Sequence, residues 1–571
     1  MAAPRSWADR RTRARAARML REFSASEVGG RARGLLAVLI LLLLSINGLN
    51  VLNSYVGRDF MTALAKREMP LFIRQALLYV GVFALSTLAD VFLRFTEETL
   101  ALTWREWMSR WAVSRYLRRP VYHQLSDRLI SEGAVPNPDE RIADDVRAFT
   151  ATTISFLLLF LNGTFTFVAF SGVLWSIRPA LFLVAVTYAA VGSLLAYVFG
   201  RALVTLNVTQ LDQEANFRSE LIHVRENAQP LAVARREDVL RGRLLGRIAA
   251  WVNNFRRIIR VNRNLGFFVT GYNYLIQIIP VLLVAPLFMR REVEFGVVTQ
   301  SAMAFAQLVG AASLVITQFQ QLSSYAAVVT RLGVLEEGIE LAESRPLLAD
   351  EGPAVEVGAC GEKDALVYED LTLRSPADGH VLLRDLRGRI TPGMRLRIGG
   401  PNDEAKAALF RATAGTWAQG SGRLLKPGDD RILFLAERPY LPPGTLREVL
   451  TNPGQTLPEE RVLAALRELD LDSVPARIGG LDVERRWDHL LTLSEQQRVA
   501  VAHVLLTAPC FVFLERPRTA LGVEALSQIL ALLKARSISV LAIDNTDSDY
   551  YNSVLALDAG GAWQWNPRHM P

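Results

Sequence analysis

Apolar positions gather first into long runs and then, past residue 364, into short ones separated by turn residues. Six runs, near residues 34–57, 71–100, 149–177, 179–203, 264–289 and 295–319, each exceed the ~20 helical residues needed to cross a hydrocarbon core. The second ends in Asp90, Arg94, Glu97 and Glu98, so its last turns are expected to leave the lipid or to face the bundle interior. The connections 101–148 and 200–263 are charged and amphipathic, as helices continuing beyond a bilayer would be. Periodicity then fails over 342–364, a stretch rich in Pro, Gly and charge that reads as a linker. From Ala365, strand patterns such as ALVYEDLTL and VLLRDLRGRI alternate with helical ones, which indicates an α/β domain with a mixed sheet over 365–571. The expected fold is therefore an all-α six-helix transmembrane domain over 34–341 followed by an α/β domain.

Charge refines this picture. The net charge of +7 would suit nucleic acid, but the basic residues flank the apolar runs, where an inside-facing membrane surface accounts for them, and no nucleic-acid partner is expected. Nine Arg lie between the N-terminus and Arg33, eight in 101–148 and twelve in 200–263, against few in the intervening loops. The positive-inside rule then places both termini and both long connections on the cytoplasmic side. Residues 1–33 read as a retained basic helix, since no small-residue cleavage site precedes the first run and that run is too long for a signal-peptide core. Cys360 and Cys510 stand far apart with no partner motif, so neither a disulfide framework nor a zinc site is indicated.

Two runs in the long connections, NPDERIADDVRAF from Asn137 to Phe149 and EANFRSELIHVRENAQPLA from Glu214 to Ala232, resemble the cytoplasmic signatures of one branch of the ABC transporters. That branch holds the SbmA/BacA-type peptide transporters, their relatives with a fused ATPase domain, and the peroxisomal fatty-acyl half-transporters; FSGVLWSI, Phe170 to Ile177, fits its third span. The resemblance implies an exporter-like fold in which Asn137, Asp139, Arg141, Glu214, Phe217, Arg218, Arg225 and Glu226 couple the bundle to the soluble domain. A cap at Asn137 or Asp139, and Glu214 with Arg218 one turn on, would order such exposed helices.

The C-terminal domain aligns with an ABC ATPase, and the resemblance implies ATP and magnesium as cofactors. A phosphate loop should read G-x-x-x-x-G-K-[ST]. Here GPNDEAKAA keeps Gly400 and Lys406, but Ala405 replaces the second glycine, Ala407 the magnesium hydroxyl, and Asp403 and Glu404 stand where a polyanion should be enveloped. Lys406 is either a relic of descent or a surviving anion ligand. Glu437 replaces the glutamine that senses the attacking water; Glu515 stands for the magnesium-binding Asp and Arg516 for the catalytic base. Arginine cannot accept a proton at neutral pH. Asp544 and Asn545 occupy the place of the switch histidine, and no aromatic for adenine stacking stands near Arg374 and Ser375. In the signature-like run LTLSEQQRVAVAH, Leu491, Glu495 and Gln496 remain while Ser494 replaces a glycine; its other reading is an ordinary helix start with an acidic first turn. No intact catalytic set is expected.

Three functions follow as alternatives. One is a subunit of a bacterial inner-membrane transporter for peptides, peptide-like or hydrophobic cargo, paired as a homodimer or as a heterodimer with a second ABC half-transporter. Another is a proton-driven homodimer, for which Asp90, Glu97 and Glu98 are the candidate coupling groups. The third is a regulatory or scaffolding membrane protein that does not transport.

Overall fold

The computed structural model describes residues 10–118, 121–127, 138–314, 318–344, 354–360, 365–376, 378–417, 419–452, 454–545 and 549–567. It divides into two compact units, Met1–Arg118 with Leu125–Glu340, and Arg119–Gln124 with Leu341–Pro571.

The first unit is helical. Its principal helices are α1 Arg10–Ala25, α2 Gly29–Lys66, α3 Met69–Tyr116, α4 Pro138–Ile177, α5 Pro179–Glu226, α6 Glu237–Met289, α7 Phe295–Ala312 and α8 Phe319–Ser344. Among them α2 to α7 are long and apolar enough to cross a membrane. Most run well past the apolar stretches read from the sequence, because their polar continuations keep the helical repeat outside the lipid. The sixth is the exception: it ends at Ala312, short of the expected 319, and residues 315–317 lie outside the described set.

Local chemistry sets the turns between spans. Arg67 takes a left-handed conformation that closes α2, and Pro70 opens the next helix. Arg178, held extended at φ −164° by the Pro179 that follows it, separates α4 from α5. The core around α1 and the far end of α3 is aromatic: Phe23 stacks on Trp104 at 4.9 Å, Trp104 meets Phe149 edge-on, and Phe149 stacks on Tyr325. Deeper in the bundle the buried Asn47 on α2 donates to Asn162 Oδ1 at 2.8 Å and accepts from Thr166 Oγ1 at 2.7 Å. Such interhelical bonds satisfy polar groups that lipid cannot.

The second unit is α/β. A four-stranded sheet runs in the order β1 (Glu356–Ala359), β5 (Gly420–Lys426), β2 (Leu366–Arg374), β3 (Val381–Ile390). A six-stranded sheet runs β10 (Trp563–Pro567), β9 (Ser553–Leu557), β4 (Arg395–Gly399), β8 (Ser539–Ile543), β7 (Phe511–Glu515), β6 (Ile432–Leu435). In it β9, β4, β8, β7 and β6 are parallel, and only β10 is antiparallel. The central strands SVLAI and FVFL are buried along their length, as strands covered on both faces must be. Strand β1 falls inside the segment read as a linker: it pairs in parallel with β5, Glu356 opposite Arg423. Its four residues alternate too little to show a strand by themselves, and the neighbouring sheet edge supplies the pairing.

Candidate functional site

The parallel strands of the larger sheet all deliver residues to one edge, where the carboxyl ends of such strands normally form a ligand crevice. Gly400 follows β4, Glu437 follows β6, Glu515 ends β7, and Asp544 and Asn545 follow β8. Gly400 is required where it stands: its φ is +112°, and a Cβ there would lie 2.0 Å from the Leu557 carbonyl oxygen.

The loop after Gly400 departs from the expected shape. Asp403 and Glu404 were expected within a loop that wraps phosphate; instead they form the first turn of helix α9, Asp403–Thr413. Asn402 is the cap, its Oδ1 accepting from Ala405 N at 2.9 Å, while its amide donates to the carbonyls of Leu382 and Asp558. Carboxylates are favourable at a helix N-terminus, and Ala405 has higher helix propensity than the glycine it replaces, so the helix begins early and shortens the loop. The backbone N–H groups of Asp403, Ala405 and Lys406 already donate to Pro401 O, Asn402 Oδ1 and Asn402 O. The cap-plus-acid pattern Asn402, Asp403, Glu404 was a readable signal for this.

Lys406 is buried, at 1 % exposure. Its Nζ donates to Gly400 O at 2.7 Å and Asn545 Oδ1 at 3.2 Å, and lies 2.6 Å from Asp403 Oδ1. These three acceptors match the three donors of an ammonium group. The other Asp403 oxygen stands 3.4 Å from Arg516, whose guanidinium is also 3.7 Å from Glu437 Oε2. The hydrogen bond from Lys406, aided by the charges of Lys406 and Arg516, holds the Asp403 carboxyl below the usual carboxylate range. Glu515 Oε2 accepts from Glu437 N at 3.4 Å. Five of the departing positions, Asp403, Glu437, Glu515, Arg516 and Asn545, thus form one network with Lys406, beside an open cavity of about 360 Å³ lined by Asp403, Lys406, Arg516, Arg518, Thr519, Ile543, Asp544 and Asn545. Glu404 lies outside the network, 3.7 Å from His380 Nε2; His380 is raised above its ordinary value by its bond to Asp378. The geometry does not fit a magnesium–triphosphate group: the N–H groups of Asp403, Ala405 and Lys406 and the lysine ammonium are internally bound, and residue 407 has no hydroxyl.

The signature-like residues serve the fold of their own helix. Leu493–Thr507, α10, opens with a capping box in which Thr492 accepts from Glu495 N and Glu495 accepts from Thr492 N at 2.8 Å. Burial would raise the Glu495 carboxyl, but the bonds from Thr492 and Arg477 outweigh it and leave it lowered. Ser494 sits in the first turn, Leu491 is buried, and Gln496 donates to the Leu491 carbonyl at 2.9 Å. Gln497, in the same run, is buried and ties the helix to the Ala436 and Glu437 carbonyls at 3.0 and 2.7 Å.

In the helical unit, Asn137 lies outside the described residues, and Asp139 and the exposed Glu140 open α4. Arg141 is buried at the start of a single π-helical turn, Arg141–Asp145, and donates to the Arg331 carbonyl at 2.8 Å. Arg331 in turn grips the buried Asp145 with two bonds of 2.7 and 2.5 Å, a pairing 186 residues apart that no local pattern announces. The expected Glu214–Arg218 pair is not made. Glu214 accepts instead from Gln210 and from Trp251 Nε1 on α6, both at 2.8 Å, because an indole donor on the packed neighbour reaches it while Arg218 points to solvent. Phe217 is half-buried, Arg225 is exposed, and Glu226 ends α5. Asp90 and Glu98 are exposed on α3, and Glu97 accepts from Ser155 at 2.8 Å.

Comparison with known proteins agrees with this layout. Residues 20–289 match the family model described as ABC transporter transmembrane region 2. An uncharacterized ABC transporter ATP-binding protein of Synechocystis is 32% identical over 539 residues, covering 93% of this chain and 81% of that protein. The chloroplastic ABC transporter D family member 2 of Arabidopsis thaliana is 32% identical over 601 residues, covering 93% and 84%. The mouse lysosomal cobalamin transporter ABCD4 is 25% identical over 544 residues, covering 89% of each.

Proposed function

Because this chain belongs to the ABC transporter family, as a half-transporter related to the D members that joins a six-helix transmembrane region to an ATP-binding domain, we propose that it moves cargo without hydrolysing ATP by itself. One observation carries this reading: the Lys406 ammonium, which should meet phosphate, is saturated by Gly400, Asn545 and Asp403. Asp403 occupies the place of the anion and is held from its other side by Arg516. With Arg516 at the proton-acceptor position, no side chain there can activate water. ATP would then be turned over only at a site to which a second ABC half-transporter contributes the missing groups.

The domain retains its sheet, its capped helices and its core, which supports a role in packing and partner contact. The chain sits in a bacterial inner membrane with both termini cytoplasmic, as its arginine distribution favours, and its cargo is a peptide-like or hydrophobic molecule. The test is ATPase activity and uptake in vesicles containing this chain alone, then with a second half-transporter co-expressed. Uptake without ATPase activity in the first, or ATP-dependent uptake only in the second, agrees with the proposal. Brisk hydrolysis by the purified chain that Lys406→Ala abolishes would sink it.

A further inference from the structure

The helical unit holds a carboxyl group in surroundings unlike those of any acid considered so far. Glu336, on α8, is 3% exposed, and its Oε1 has no hydrogen-bond partner. It borders a small, mostly apolar pocket of about 20 Å³, room for a single water, whose other walls include Met19, Glu22, Trp107, Trp111 and Leu332. One water cannot replace the hydration shell of a carboxylate, so burial here opposes ionisation.

The charges around it deepen the effect. Glu22 faces it from α1 and Glu340 from its own helix, both disfavouring a second negative charge; Arg18 on α1 and Arg115 on α3 oppose them. The fourth packed element, α4, contributes only the apolar Val146. The balance pushes the carboxyl up to about 7, with burial the largest cause and Glu22 the next.

Glu336 lies beneath α1, a basic amphipathic helix held to α8 by few bonds. Arg15 crosses Gly333 so closely that a Cβ there would meet its Cδ at 2.4 Å, and it grips Glu337 through both carboxylate oxygens at 2.7 and 2.8 Å. Arg18 reaches Glu340 at 3.7 Å. Toward its C-terminal end α1 is anchored separately, by Met19 and by Phe23 stacked on Trp104.

We propose that Glu336 is a proton-binding site that fixes the docking of the N-terminal helix Arg10–Ala25 on the bundle, docked when protonated and loosened when ionised. The sign follows from linkage. The docked state raises this acid from its ordinary 4.5 to about 7, so docking is strongest below the lower value and weakens as pH rises through the upper one. Between pH 6 and pH 8 the docking equilibrium falls about tenfold.

Hydrogen–deuterium exchange of the full chain in lipid nanodiscs, corrected for intrinsic exchange at each pH, reads this directly on residues 10–25. The wild type should lose about tenfold protection there between pH 6 and pH 8. Glu336→Gln should keep α1 protected at both, and Glu22→Gln should move the midpoint to lower pH by removing a repelling carboxylate. Overturning results are a pH-independent wild type or an unchanged pH dependence in Glu336→Gln. A Glu22→Gln midpoint that stays in place would also overturn the proposal.

Discussion

If Asp403 plays the anion that Lys406 would otherwise hold, neutralising it should let a phosphate in. Asp403→Asn keeps the size of the side chain and its place in the first helical turn while removing the charge. At about 4 Å, two unit charges interact by about 1 kcal/mol at bulk-water screening and about 4 kcal/mol at an effective dielectric of 20. The Asp403 side chain is 64% exposed, so the lower figure applies. Against the two charges of a terminal phosphate the relief is about 2 kcal/mol, or roughly 30-fold tighter binding. Titration calorimetry of the full chain with inorganic tripolyphosphate and with ATP, at low salt to limit screening, measures it. Lys406→Met added to Asp403→Asn should erase the gain, since the freed ammonium is its source. An Asp403→Asn protein that binds no tighter, or one whose gain survives Lys406→Met, refutes the reasoning.

Two further substitutions test the scaffold of the site. Gly400→Ala places a methyl 2.0 Å from the Leu557 carbonyl at a φ of +112°, so strain and overlap should cost about 3 kcal/mol; a thermal unfolding scan that left the soluble domain unshifted would contradict this. Thr492→Ala removes one half of the capping box of α10 and should cost about 1 kcal/mol, seen as a modest fall in unfolding temperature with no change in transport.

The amino-acid order alone determined the division into a helical transmembrane unit and an α/β unit, the number of spans, and which positions of the family motifs carry other residues. The reason is that hydrophobic periodicity and motif spacing are local: a run such as Leu35–Leu44 must find lipid or protein whatever surrounds it, and Arg516 cannot be a base in any fold. Even the early start of α9 was written locally, in Asn402 and the two acids after it. What Lys406 does with its charge was not, because Asn545 lies 139 residues away and only the parallel pairing of β4 with β8 brings them together. The same holds for Glu214, whose neighbour in sequence is Arg218 but whose partner in space is Trp251, and for Asp145 with Arg331. Glu336 is the extreme case: its sequence surroundings, LEEGIELAE, are acidic and carry no local signal of burial. Burial belongs to the packing of α1, α3, α4 and α8 around it, and packing depends on several distant segments at once. Tertiary structure therefore decided which of the chain's many charges are spent on one another and which remain poised to take up a proton.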